Sequence, residues 1–231
     1  MESHRNGIVT SATLLVNAPA AEEAADAARA NPALGIGLHL AFTGLRSTLG
    51  LRAIPSLLTA EGMLPSRPEE LARAKPEHVL LEARAQLRRF RDLLGRLPTH
   101  FDTHHHAHRL PVVLEAVVVL AWETGLPVRS ASPEVQAQLR REGLRTTDRF
   151  REDFYGPTAT VETLCRIIGE IEVGVTELMC HPAVVDDLLR QGSSYAEPRA
   201  TELRALASVE ARHALQASGV KLVDFTALSS S

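Results

Sequence analysis

The chain is short of cysteine and of aromatic residues, and each shortage removes a class of function. Cys165 and Cys180 are the only thiols. They form no C-x-x-C pair and no disulfide framework, and read as half-buried or buried thiols in a reducing compartment. Aromatic residues make up 4% of the 231 positions and the formal net charge is −3. With basic residues scattered as well, a stacking platform for single-stranded nucleic acid is excluded and no nucleic-acid partner is expected. No apolar run approaches the roughly 20 residues that span a bilayer, so no membrane partner is expected either. Residues 1–11 lack the layout of a signal peptide, and a cytoplasmic protein follows if Met1 is the natural start. There is no G-x-S-x-G elbow, no G-x-G-x-x-G and no phosphate-binding G-x-x-x-x-G-K-[ST].

What is present is an ordinary globular composition, 45% hydrophobic and 23% charged, with length enough for one large core. Strand and helix patterns alternate along it. Residues 8–16 predict a buried strand and 20–30 an amphipathic helix that ends before Pro32. A second strand is predicted over 34–40, followed by a long insertion, 41–75, with short helical pieces. Then come a helix over 77–94, a strand over 100–104, a helix over 111–124 opened by Pro111 and followed by Gly125, and a short strand over 126–130. Residues 131–160 read as irregular or partly helical. A helix is predicted over 161–172, a strand over 176–180, a helix over 200–218 and a last strand over 220–225. The tail is placed at 226–231, frayed from Leu228. This order predicts an α/β fold with a mostly parallel sheet and a single domain, 1–231. Periodicity alone leaves barrel and open sheet both standing.

The chemistry concentrates in histidine. Five of the ten histidines fall between His100 and His108, at the end of a predicted strand, where α/β proteins place their sites. Side chains alternate along a strand, so Asp102 and His104 are expected to point the same way, with His106 following if the strand continues. Imidazole is the commonest side-chain ligand for zinc-like ions, and a neighbouring carboxylate can ligate or orient it. His39 ends a second strand and shares a face with Gly35 and Gly37, a stripe that leaves room near the backbone. His181, before Pro182, ends a third strand, and imidazole moves protons near neutral pH. Taken singly, a solvated His-rich loop, a structural strand-end histidine and a satisfied turn histidine remain open for the three.

At these residues the sequence resembles the YdjC-like family of carbohydrate deacetylases, particularly its chitooligosaccharide deacetylase branch. The matching stretches are 6–13 with Val16 and Asn17, Gly35 to Leu40, Thr99 to His108 with Pro111, and Glu177 to Pro182. Arg190-Gln191 and the stretch from Glu197 through Arg199 to Glu202 and Leu203 also look like the family. The resemblance implies a distorted (β/α) TIM-like barrel related to polysaccharide deacetylases, lacking its first strand here. It also implies one divalent metal ion, magnesium or zinc, held by an aspartate and two histidines. By position the two histidines are His39 and His104. His181 matches the proposed general acid, and Asp102 sits beside a metal ligand as an orienting catalytic group. The implied reaction removes an N-acetyl group from an amino sugar or oligosaccharide, and the resemblance admits a homodimer.

The chain departs from the family at its start. Members open with a strand ending in an Asn-Ala-Asp-Asp-Phe-Gly motif, upstream of the stretch matched by Asn6 and Gly7. That motif supplies the ligand aspartate and the presumed base. Residues 2–6 with Gly7 read as a last helical turn and its C-cap. The expectation is a mis-assigned start or a trimmed chain rather than a lost enzyme, with weak metal binding and little activity as written. The alternatives are a catalytically impaired sugar-binding member and a different single-metal amidohydrolase. Arg109 and the 41–75 insertion leave the sugar open.

Overall fold

The computed structural model describes residues 1–229. They fall into two compact units, one of residues 11–147 and 224–229, the other of residues 1–10 and 148–223. In chain order the elements are α1 (Glu2–Arg5), β1 (Ser11–Leu14), α2 (Ala21–Arg29), β2 (Gly35–Leu40), α3 (Pro76–Leu94), β3 (Phe101–Thr103), α4 (Pro111–Thr124), α5 (Pro133–Arg141), β4 (Arg149–Arg151), α6 (Val161–Gly169), β5 (Thr176–Leu178), α7 (Asp187–Gly192), α8 (Glu197–Leu206) and α9 (Val209–Ser218). Local chemistry sets their ends. Pro76 and Pro111 open α3 and α4 at positions where no N–H is needed, and Gly95 and Gly125 close them in the left-handed region at φ 67° and 66°. Ser132, Thr160 and Ser208 cap α5, α6 and α9 by accepting backbone N–H bonds through their hydroxyls.

The larger unit carries a parallel sheet in the order β1-β2-β3. Its register sets Leu38 against Phe101 and His39 against Asp102. Residues 126–130, expected as a short strand, extend this edge through one parallel bridge between Phe101 and Val128. Over the sheet, α3 packs against α4 and α2. Helix α4 buries residues on nearly every side, including Val113, Val117, Leu120 and Ala121, as a central helix must. Helix α3 also buries two polar side chains one turn apart. Glu82 accepts the N–H groups of Thr48 and Leu49 at 2.7 and 3.0 Å, and Gln86 pairs both ways with the backbone of Ala41. These bonds tie the start of the 41–75 insertion to α3. Within that insertion the regular structure is a 3-10 helix, Pro68–Arg73, and one antiparallel bridge, Arg46 to Met63.

The smaller unit pairs β4 and β5 in parallel. Its core is Ile8, Phe154, Leu164, Ile167, Ile168, Ala205, Leu206 and Leu215, where α6 packs on α8 and α9.

The α/β class and the parallel pairing are as the sequence predicts. Among the described residues the strands pair as one sheet of three and one of two, and this pairing closes no barrel. Four local expectations change. The helix expected over 200–218 is two helices, because Ala207 and Ser208 break it and the Ser208 hydroxyl caps the second. The last strand expected over 220–225 is not formed: residues 220–224 lie in no strand, and Phe225–Ser229 forms a 3-10 turn that reaches into the stretch expected as a tail. The rest of the expected frayed tail lies outside the described residues. Strand β4 arises in a stretch read as irregular. Gly7 is not a left-handed cap. It has no side chain because a Cβ there would stand 2.6 Å from the Ser3 carbonyl oxygen and closer still to that of Leu206. Among the described residues no helix is long and apolar enough to cross a membrane.

Candidate functional site

The β2–β3 register builds the first cluster. His39 and Asp102 are Cα partners, so their side chains leave one face of the sheet together. His39 Nδ1 stands 2.8 Å from Asp102 Oδ1, and Arg129 Nη1 stands 2.7 Å from Oδ2. The Thr13 hydroxyl lies 3.4 Å from both Oδ2 and His39 Nδ1. Asp102 is fully buried, while the His39 side chain keeps 18% of its exposure. Burial works against the carboxylate, but the charges of His39 and Arg129 outweigh it and hold the Asp102 carboxyl well below the usual range. With Nδ1 turned to Asp102, Nε2 is the His39 nitrogen that faces away from the carboxylate.

His104 lies beside His39, ring centroids 5.5 Å apart and planes at 72°. The strand ends at Thr103, and residues 104–109 turn, with His105 and His106 at φ 54° and 49°. His106 therefore does not continue the Asp102 face as an extended strand would have required. The left-handed region is uncommon for a side-chain-bearing residue, and two in succession beside His104 mark a held conformation. His105 stacks on His104 at 3.8 Å and meets the Thr43 hydroxyl at 3.0 Å through Nδ1. Burial first, and the charge of His39 second, push the His105 pKa down.

Two histidines of the cluster belong to the core. His100 is buried and stacks on Phe225, centroids 3.6 Å apart and planes at 6°. His108 is fully buried between the Thr103 hydroxyl, 2.5 Å from Nδ1, and the Arg129 carbonyl, 3.2 Å from Nε2. Burial, with smaller help from Arg129, pushes each pKa down to about 3, so both are neutral imidazoles. The glycine stripe has the same explanation. A Cβ on Gly37 would fall 2.6 Å from His100 Nδ1, and one on Gly35 would fall 2.6 Å from Asp224 Oδ2. The room beside the backbone is taken by the protein's own side chains, not kept for a ligand. Arg109 is likewise committed: Nε and Nη2 donate to the Ala131 carbonyl at 3.1 and 2.6 Å.

His181, in the smaller unit, is held through its backbone and ringed by the chain's two tyrosines. Its N–H donates to Glu202 Oε2, and its carbonyl accepts from Arg199 Nη1 at 3.2 Å. Tyr155 and Tyr195 stack at 4.1 Å with planes at 5°, and the His181 ring meets each edge-on at 5.7 and 5.9 Å. The Tyr195 hydroxyl donates to Glu202 Oε1 at 2.5 Å. Burial pushes the Glu202 carboxyl up, against the pull of these hydrogen bonds.

A divalent ion suits the first cluster in one respect. Metal-binding imidazoles regularly turn their second nitrogen to a buried carboxylate, as His39 does to Asp102. His39 and His104 fit as two nitrogen ligands. They are not a full set: among the described residues no group of three or more His, Cys, Asp or Glu is placed to hold a metal ion. Arg129 and Thr13, which complete the setting of Asp102, were not singled out from sequence. An arginine in the otherwise apolar stretch 126–129 was the available signal.

The class of protein is therefore an α/β chain of parallel strands with imidazoles at the strand ends, one paired with a buried aspartate. The model of the YdjC-like protein family matches residues 1–217, and the chain belongs to that family. It is 39% identical to a carbohydrate deacetylase of Brevibacillus brevis, over 99% of this chain and 92% of the relative. It is 41% identical to a carbohydrate deacetylase of Geobacillus stearothermophilus, over 97% and 89%. A chitooligosaccharide deacetylase of Salmonella heidelberg is 36% identical over 96% and 88%. A crystal structure from Enterococcus faecalis, described as a candidate cellobiose-phosphate cleavage protein, superposes with a TM-score of 0.92 at 32% identity, over 98% of this chain and 90% of that one.

Proposed function

We propose that this protein is a metal-dependent deacetylase that hydrolyses the N-acetyl group of an amino sugar or oligosaccharide. The observation that carries the reading is the His39–Asp102 pair with His104 beside it, in a chain whose relatives are named carbohydrate deacetylases. His39 and His104 would hold zinc or magnesium, and the ion would supply Lewis acidity toward an acetamide carbonyl and toward water. Asp102 orients His39 by holding Nδ1, and Arg129 keeps Asp102 anionic. His181 is assigned the proton donor to the departing amine, without which nitrogen leaves poorly. The products are a free amino group on the sugar and acetate.

The test is acetate release from di-N-acetylchitobiose with zinc or magnesium added, in the wild-type chain and in His39→Ala, His104→Ala and His181→Ala. Metal-dependent release in the wild type, even at a low rate, and its loss in all three variants is the expected result. Sugar binding with no acetate released would favour a binding protein descended from the enzyme. Acetate released only from non-sugar amides would favour a different amidohydrolase.

A further inference from the structure

We infer that Tyr155 is a stacking platform for a pyranose ring, set beside His181 and backed by Tyr195. The inference rests on the deacetylase reading, which makes the ligand a sugar.

The chain has two tyrosines among few aromatics, and the fold stacks one on the other with planes 5° apart. Tyr155 nevertheless keeps 45% of its surface exposed. One face is covered by Tyr195, so whatever part of the ring is exposed lies on the opposite face and the edge. An aromatic face is negative at its centre and attracts the partly positive C–H groups on the apolar face of a pyranose. The ring is also held ready. The Tyr195 hydroxyl accepts the N–H of Gly156, the residue after Tyr155, at 2.6 Å while donating to the buried Glu202. Arg199 donates through Nε to the Tyr195 carbonyl at 2.7 Å and sets its guanidinium carbon 5.4 Å from the Tyr195 ring centre. A surface fixed before binding loses little side-chain entropy on binding. The His181 ring flanks the pair, 5.7 Å from Tyr155 and 5.9 Å from Tyr195, at the edge of the platform. Trp122, 54% exposed, is an aromatic of the other unit whose Nε1 donates to the Glu142 carbonyl at 3.0 Å, and it serves as the control.

The experiment titrates the protein with chitobiose, the fully deacetylated disaccharide, so that binding is read without turnover. Calorimetry gives Kd, and proton NMR gives the ring-current shift of the sugar C–H signals on the wild-type chain. Acetate release from di-N-acetylchitobiose is measured in parallel. Expected are upfield shifts of the sugar C–H protons, a Kd raised about tenfold or more by Tyr155→Ala, one within about twofold for Tyr155→Phe, and no change for Trp122→Ala. Sugar binding or acetate release by the wild type, with no ring-current shift and an unchanged Kd in Tyr155→Ala, overturns the platform and leaves the deacetylase reading standing. A wild type that neither binds the sugar nor releases acetate overturns both.

Discussion

Asp102 Oδ1 stands 2.8 Å from His39 Nδ1, and the two residues are direct partners across the β2–β3 ladder. The contact follows from sheet register alone. A slip of one residue would send every side chain of β3 to the other face and separate them. Arg129 closes the arrangement from the far oxygen, giving a buried anion between two basic side chains.

Replacing that anion tests both its structural and its orienting role. Asp102→Asn removes a charge partner of the buried Arg129 and the fixed partner of His39 Nδ1. Unfolding in urea is expected to show a loss of about 3–5 kcal/mol. Calorimetric zinc titration under folding conditions is expected to show affinity lower by about 10- to 100-fold. Unchanged zinc affinity in a folded variant would remove Asp102 from the metal site.

Acid should destabilise the larger unit early. His100 and His108 have folded pKa values of about 3 against an ordinary 6.5. Between those values the unfolded chain takes up protons that the folded chain refuses, so stability falls as pH falls. Each contributes up to about 1.4 kcal/mol per pH unit. Asp102, whose carboxyl is held below its ordinary 3.8, adds stability that is complete above that pH and is lost as pH falls toward its folded value. Urea midpoints should therefore drop steadily from about pH 6.5 to about pH 4, and His108→Gln should flatten the slope. A flat profile in the wild type would mean the two imidazoles are not buried neutral groups.

Gly37 should resist even one methyl group. In Gly37→Ala the new Cβ meets the ring of His100, and His100 is wedged on Phe225. A loss of about 1–3 kcal/mol is expected, as for other overpacked sites. Adding His100→Ala should recover part of it in a double-mutant cycle. Independent, additive effects would show that the two positions do not touch.

Glu82 should matter more than an ordinary helix glutamate. It is fully buried and accepts from Thr48 N, Leu49 N and Gln86 Nε2. Glu82→Leu leaves those donors without their acceptor, at a cost of about 2–4 kcal/mol in urea unfolding. Proteolysis at 41–50 should quicken in the same variant. Wild-type stability with unaltered proteolysis would show that α3 does not hold this loop.

Much of the fold was legible in particular residues. Pro76, Gly95, Pro111 and Gly125 act through their own backbone preferences, and α3 and α4 begin and end close to where those residues place them. The break between α8 and α9 was hidden because Ala207 and Ser208 are compatible with a helix. Only the Ser208 hydroxyl turning to Ala211 N converts the site into a cap. Residues 220–224 carry strand-like side chains but find no neighbouring strand, and β-propensity is realised only through pairing.

The sequence by itself determined the α/β class, the ends of α3 and α4 and the concentration of histidine at strand ends, because these depend on residue types and local spacing. The tertiary structure decided what each histidine is for. His100 and His108 became neutral core groups through burial, His39 was joined to Asp102 through register, and His181 was set edge-on to two stacked tyrosines brought together from positions forty residues apart. Burial, register and long-range packing depend on which segments meet, and no window along the chain contains that information.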